Sequence, residues 1–334
     1  MEEHEFDLVS IGDATYDTFL TPSESESLCD INNEHCYICF TYGDKIPVKN
    51  MDFSVGGNAA NNVVGCSRLG LKTAILTNIG TDLVGETILH KLHTEHADVS
   101  FITKETKGAS NASTVIAYSG ERTIFTFHAP HQYELPESFP KSKWYYLTSL
   151  GENFEEYYKQ VIQKIKDVNG KIAFNPGSRQ LRGDKELLLS CITASDLVYI
   201  NLEEARRIVG LKESDAKIMG VRELLQHVSA MGPAHVIITD GANGSFAIEN
   251  NTFYKCGVLP VDAYERTGAG DAFGSGSLAA LIQGKGLKEA LIWGTVNSAS
   301  VIGYTGGQRG LLREGEIYDW IERAESSGIT ATSF

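Results

Sequence analysis

Apolar residues along the chain fall into two alternating rhythms. Short, largely β-branched or aromatic runs occur at FDLVSIG (6–12), TAILTNIG (73–80), WYYLTSL (144–150), KIAFNP (171–176), DLVYIN (196–201) and HVIITD (235–240), each closing at or beside a turn-forming residue. Runs of this kind predict strands buried in a sheet. Between them lie NAANNVVGCSRLG, VGETILHKLHTEH, FEEYYKQVIQKIKDV, EEARRIVG and VRELLQHVSAMG, whose apolar residues recur at helical spacing. Strands alternating with helices predict an α/β fold built on a mostly parallel, doubly wound sheet.

Two stretches break the rhythm. Residues 18–54 and 98–130 contain CYICFTYG, KIPVKNMDFSV, SFITKE, STVIAYS and RTIFTFHA, the last two around the turn SGER, and they alternate at period two without crossover helices. They predict a small β-sheet inserted in two pieces, a lid on one large domain spanning 1–334. The tail ESSGITATSF predicts loose order.

Composition narrows the chemistry. With 334 residues, 42% of them hydrophobic, the chain can bury a sizeable core. A net charge of −14 without any basic stripe excludes nucleic acid and anionic membrane as expected partners. The opening MEEHEFD is acidic where a secretory signal is basic then apolar, and no apolar run reaches membrane-spanning length, which predicts a cytoplasmic protein. The six cysteines lack disulfide-framework spacing and are expected reduced. Cys36 and Cys39 form a CxxC near Cys29 and His35, but residues three apart on a strand face opposite ways, so zinc is not expected. An acidic chain that handles phosphate must neutralise it locally, through metal ions or backbone N–H groups.

Glycine-rich turns supply such groups. In TGAGDAFGSG (267–276) the small residues 268–270 let N–H groups converge at the start of a helix, whose dipole favours negative charge. Asp271 then sits in the first turn, placed to take a proton from an attacking hydroxyl. The same residues also make a structural turn, with Asp favoured near a helix start. SVGGNAANN (54–62) sets paired glycines before a helix carrying Asn58 and Asn61, amides suited to vicinal hydroxyls; it reads equally as a turn capped by Asn58. GDATYD (12–17) puts Asp13 and Asp17 beyond the first strand, where α/β sheets bind ligands, or in ordinary surface turn chemistry. NLEE (201–204) offers Asn201 and Glu204 to hydrated Mg²⁺ and phosphate, or forms a capping box. TDGANG (239–244) is a nucleotide-side turn or a plain hairpin. Neither a GxxxxGK[ST] loop nor the protein-kinase motif set is present.

Together, and in this order, these segments resemble the ribokinase-like carbohydrate kinases, the PfkB family, from GDATYD to GGQRGLL (306–312). GGNAAN (56–61) is similar to the family's sugar-side signature, and TGAGDAFGSG to its phosphoryl-transfer signature. The resemblance implies a three-layer αβα ribokinase-like fold with a small β-sheet lid that closes on substrate and can build a homodimer. It implies ATP-dependent phosphorylation of a hydroxyl on a small sugar or sugar-like substrate, with Mg²⁺. Asp17, Gly56, Gly57, Asn58 and Asn61, with Asp13 beside them, would contact the sugar. Gly268, Ala269 and Gly270 would form the anion hole and Asp271 would be the general base. Asn201 and Glu204 fall on the family's NxxE element, with Glu204 holding Mg²⁺ through water; Thr239, Gly241 and Gly244 fall on its TxGxxG turn, and Asn297 on its adenine-side helix. Glu265 and Arg266 depart from the usual Asp-Thr in a region that binds a monovalent cation in several members, and Arg266 is a candidate to bring positive charge there instead. Gly151 stands where ribokinase has a sugar-binding glutamate, so ribose is not implied. The alternatives are a nucleoside kinase on the same fold and a non-catalytic sugar-binding regulatory homologue.

Overall fold

A computed structural model describes residues 4–23, 26–29, 36–118, 121–210 and 219–334. Among these, nine strands form one sheet in the spatial order Ala331–Ser333, Thr252–Cys256, Ser245–Glu249, His235–Thr239, Leu197–Asn201, Lys171–Phe174, Ser142–Leu147, Phe6–Ile11 and Thr73–Leu76. From His235–Thr239 to Thr73–Leu76 neighbours run parallel; the other three strands are antiparallel additions. Alternation sorts the side chains to two faces. Val9, Ile11, Tyr145 and Leu147 pack beneath helices Glu155–Asp167, Lys185–Ala194, Leu202–Val209 and Val221–Ser229. Leu8, Trp144 and Tyr146 pack beneath Ala269–Ile282, Leu287–Val301 and Glu314–Ser326. The fold is thus the expected helix–sheet–helix sandwich.

Phe6–Ile11 lies between Ser142–Leu147 and Thr73–Leu76. The chain leaves it toward one neighbour and later returns beside the other, and at such a reversal a crevice opens beyond the strand ends. Asp13 follows the first of these strands and donates its N–H to Ser149 O at 2.9 Å, just after the second.

A four-stranded sheet stands apart from the large one, in the order Glu121–Phe127, Ala112–Tyr118, Thr15–Pro22 and Val48–Gly56. Its register puts Asp17, Ser113 and Arg122 on one side, and Met51, Phe53, Phe125 and Phe127 on the other, where these four are half or more exposed. Two segments expected in this sheet lie elsewhere. Thr103–Glu105 pairs with Asn78–Gly80, and Cys36–Cys39 with Glu26–Cys29. His35 and the turn residues 119 and 120 fall outside the described residues. Among the described residues, no three His, Cys, Asp or Glu gather to hold a metal, and no helix is long and apolar enough to cross a membrane.

The tail is a correction. Ala331–Ser333 adds a strand to Tyr254–Cys256, and Phe334 packs edge-on against Phe246 and Phe253, with Arg222 4.0 Å from the Phe253 ring centre. Its polar composition hid one aromatic anchor and a free sheet edge. Helices Asn58–Arg68 and Ala269–Ile282 meet through small residues. A side chain at Gly65 would strike Ser275, and the buried Cys66 thiol, its pKa pushed up by burial, donates to Ser275 O at 3.5 Å. This seam fixes the two helix starts relative to each other.

Candidate active site

Helix Ala269–Ile282 opens at Gly268, whose φ of 77° is left-handed. A Cβ there would strike Gly307, so both conformation and space demand glycine. No side chain caps this end, which leaves the helix start with positive character toward the crevice. Of the expected anion-hole amides, Ala269 donates to Arg266 O at 3.3 Å. Tyr199 donates its hydroxyl to Gly270 O at 2.7 Å and stacks on Phe273, which fixes the first turn from the sheet side. Tyr199 had read only as a core residue of its strand.

Asp271 follows in that turn, half-buried, and accepts a hydrogen bond from Asn61 Nδ2 at 2.8 Å across 210 residues of sequence. Asn61 lies one turn into Asn58–Arg68, a helix that opens at Gly57 with φ 92° and likewise no capping side chain. A Cβ on Gly57 would meet Asp13 O, and one on Gly56 would collide with the Asp17 carboxylate. Asp17 accepts from Ser113 Oγ at 2.6 Å and Thr15 Oγ1 at 3.0 Å. Asn58 does not cap its helix; its side chain donates to Thr148 Oγ1 at 3.3 Å. Asp13, read either as a ligand-side residue or as surface turn chemistry, is buried and accepts from Asn111 Nδ2 at 3.3 Å. The two signatures therefore share one crevice.

Four carboxylates in it have raised pKa values. Burial lifts Asp271 to about 6, opposed by the Asn61 bond and reinforced by the charge of Asp17. Burial lifts Asp13 to about 7 against the bond from Asn111 and the charge of Arg179, and raises Asp17 against its two hydroxyl donors. Glu204 is lifted to about 7 by burial, opposed by the Asn201 N–H, with Glu203 and Asp271 adding repulsion. Buried acids crowded into a crevice mark functional sites more often than structural ones.

On the other side of Gly270 a cleft of about 480 Å³ is lined by Thr239, Gly241, Gly244, Arg266, Ala269 and Ser298, among others. TDGANG joins two antiparallel strands, as a hairpin does, and it also forms a wall of this cleft. Gly244 has φ 91° and no space for a Cβ against Cys256 O. Asn201 and Glu204 make a full reciprocal capping box, at 2.8 and 2.9 Å. Asn297, expected on the nucleotide side, is wholly buried, donates to Ala272 O at 2.8 Å and accepts from Leu312 N–H at 2.9 Å. It ties the helix to its neighbours, while Thr295 and Ser298 of the same helix line the cleft. Glu265 accepts the N–H groups of Thr267 at 2.6 Å and Gly306 at 3.3 Å, and Arg122 of the small sheet approaches it at 3.7 Å.

One residue at the site carried no signal of its own. Gln308, quoted only as the end of the matching region, donates Nε2 to Asn61 Oδ1 at 3.1 Å. Its role depends on a contact 247 residues away, which no local pattern encodes.

Comparison with known proteins identifies the family. The model of the pfkB family of carbohydrate kinases matches residues 7–313. The ribokinase of Haemophilus influenzae is 26% identical over 84% of this chain and 92% of its own length. The nucleoside kinase of Methanothermobacter thermautotrophicus is 26% identical, over 80% and 85%. In structure, a putative ribokinase from Agrobacterium tumefaciens superposes with a TM-score of 0.79 at 18% identity, covering 96% of this chain and 99% of that one.

Proposed function

The chain belongs to the PfkB family of carbohydrate kinases, which makes it an ATP-dependent kinase of a small sugar or nucleoside, and on that premise we propose that its acceptor is a sugar hydroxyl deprotonated by Asp271. One observation carries the reading: the carboxylate in the first turn of the uncapped helix at Gly268 is hydrogen-bonded to Asn61 of the sugar-side helix. A hydroxyl bound beside Asn61 would meet the base and the helix start together, so catalysis rests on positioning and on fixed backbone dipoles. Gly56, Gly57, Asn58, Asn61, Asp17 and Asp13 would hold the sugar. Gly268, Ala269 and Gly270 would receive the phosphoryl oxygens.

The nucleotide would occupy the 480 Å³ cleft, against Thr239, Gly241 and Gly244, with Arg266 supplying a permanent positive charge. Mg²⁺ fits a donor set of ATP phosphates and waters, because Glu204 is a carboxylate whose charge burial disfavours and a nearby cation would restore. That ion would offset phosphate charge. Glu265 directs its oxygens to N–H groups and to Arg122, which supports turnover that does not need potassium. The small sheet, with Asp17 and Arg122 on its inner side, would act as the lid. Its exposed outer face of Met51, Phe53, Phe125 and Phe127 supports pairing with a second copy, which sedimentation of wild type against Phe53→Ser would test.

A coupled ADP-release assay over a panel of sugars and nucleosides, with and without potassium, tests the assignment. Release with sugars above nucleosides is expected. The reverse preference would make the chain a nucleoside kinase, and ligand binding without any ADP release would make it a sugar-binding regulatory protein.

A further inference from the structure

The Gly306–Gln308 turn touches both halves of the site. Gly307 lies so close to Gly268 on the phosphoryl side, and to Asn61 on the sugar side, that neither contact leaves space for a side chain. Gln308, 1% exposed, follows it. Its Nε2 donates to Asn61 Oδ1 at 3.1 Å, while the other end of the same amide, Asn61 Nδ2, donates to Asp271 Oδ2 at 2.8 Å. An asparagine amide presents a donor and an acceptor of almost the same shape, so its orientation is set by its partners. Turned over, Asn61 would aim its oxygen at the Asp271 carboxylate, an approach that only a protonated acid accepts.

We propose that Gln308 is a positioning residue for phosphoryl transfer: by donating to Asn61 Oδ1 it keeps the Asn61 NH₂ group on Asp271 and so holds that carboxylate in line as the base. The proposal rests on the reading of Asp271 as the base. Gln308 is itself held from behind. Its carbonyl accepts from Arg68 Nη1 at 2.6 Å, and the same nitrogen reaches Leu311 O at 3.0 Å. Arg68 grips Glu95 with two bonds, of 2.8 and 2.6 Å, and both residues are largely buried. Paired guanidinium–carboxylate bonds fix geometry tightly. The turn thus cannot drift from Asn61 without breaking the bonds of this anchored arginine to Gln308 O and Leu311 O.

Other groups around Asp271 pull the opposite way. Burial disfavours its negative charge, and the like charges of Asp17 from the small sheet and of Glu204, on the helix after Leu197–Asn201, add to this, while Tyr146 and Tyr199 stay neutral phenols beside it. Against them stands the hydrogen bond from Asn61, so releasing that amide leaves burial and like charge unopposed.

The titration that tests this needs no substrate. Carbon-13 carboxyl resonances are titrated from pH 4 to 9, with Asp271 assigned by its loss in Asp271→Asn. In Gln308→Met the Asp271 midpoint should rise by about one pH unit. In an Asn61→Ala background the same change should leave the midpoint where Asn61→Ala put it, since Gln308 acts through Asn61. Turnover of Gln308→Met, with MgATP and the acceptor that releases most ADP, should fall about tenfold with KM for ATP held. An unmoved midpoint, or an equal shift in both backgrounds, overturns the proposal. Should the Met variant not fold, Gln308→Leu removes the same donor without adding charge and is read the same way, with a rise expected. ADP release surviving in Asp271→Asn would instead overturn the base assignment, leaving the titration to judge Gln308 separately.

Discussion

Helices Asn58–Arg68 and Ala269–Ile282 begin differently from Leu83–Thr94, Lys185–Ala194 and Leu202–Val209. The first two open at glycines of left-handed φ, with no side chain accepting from their first-turn amides. The other three are closed by Asp82, Asp184 and Asn201, each accepting from the first-turn backbone. A capped start satisfies itself; an uncapped, crowded start keeps its donors for something else. Here the two helix starts set on positive-φ glycines are the two that face each other across the Asn61–Asp271 bond.

The sharpest break of this contrast is chemical. Asp271→Asn keeps the shape of the turn and should lower turnover by about 10² to 10⁴, with ATP and sugar affinities by calorimetry nearly unchanged. Next comes Gly268→Ala, which adds a Cβ where φ is 77° and Gly307 stands in contact. It should lower kcat by about tenfold or more and also reduce stability, whereas Gly220→Ala, at an ordinary φ of −71° with open space around it, should leave both within twofold. Asp184→Ala removes the cap of a helix remote from the crevice; denaturant melts should show a loss of about 1 kcal/mol while ADP release stays constant.

The smallest effect expected is a pH-dependent one. Asp13 stands at about 7 in the fold against an ordinary 3.8, so the folded chain holds its proton more tightly than the unfolded chain. The stability linked to that proton is full below about pH 4 and is lost as pH rises through about 7. Asp13→Asn should therefore raise Tm at pH 8 by about 2–4 °C, with the gain gone at pH 4. An equal gain at both pH values would assign the effect to packing and not to charge.

Much of this was legible along the chain. The parallel strands are continuous apolar runs, and the Gly268 turn announces itself because only glycine tolerates its backbone and crowding. The facing of Asn297 was not legible, because position on a helix says nothing of direction: its amide points inward to Ala272 and Leu312, while Ser298, the next residue, lines the cleft. The Ala331–Ser333 strand was hidden because edge pairing needs only free backbone, which composition does not report. Gln308 and Tyr199 were invisible for a third reason: each contributes one hydrogen bond to a partner far along the chain. Sequence pattern speaks for elements and turns, and is silent on who supports a functional side chain from behind.

The sulfur of Cys66, sealed against Ser275 where the two uncapped helices meet, offers a practical use. An alkylating reagent can reach it only when that seam breathes. Ligands that draw the sugar and phosphoryl halves together should slow its modification, read by peptide mass mapping at that single site. Occupancy would then be measured as a protection factor, even for compounds the enzyme never turns over.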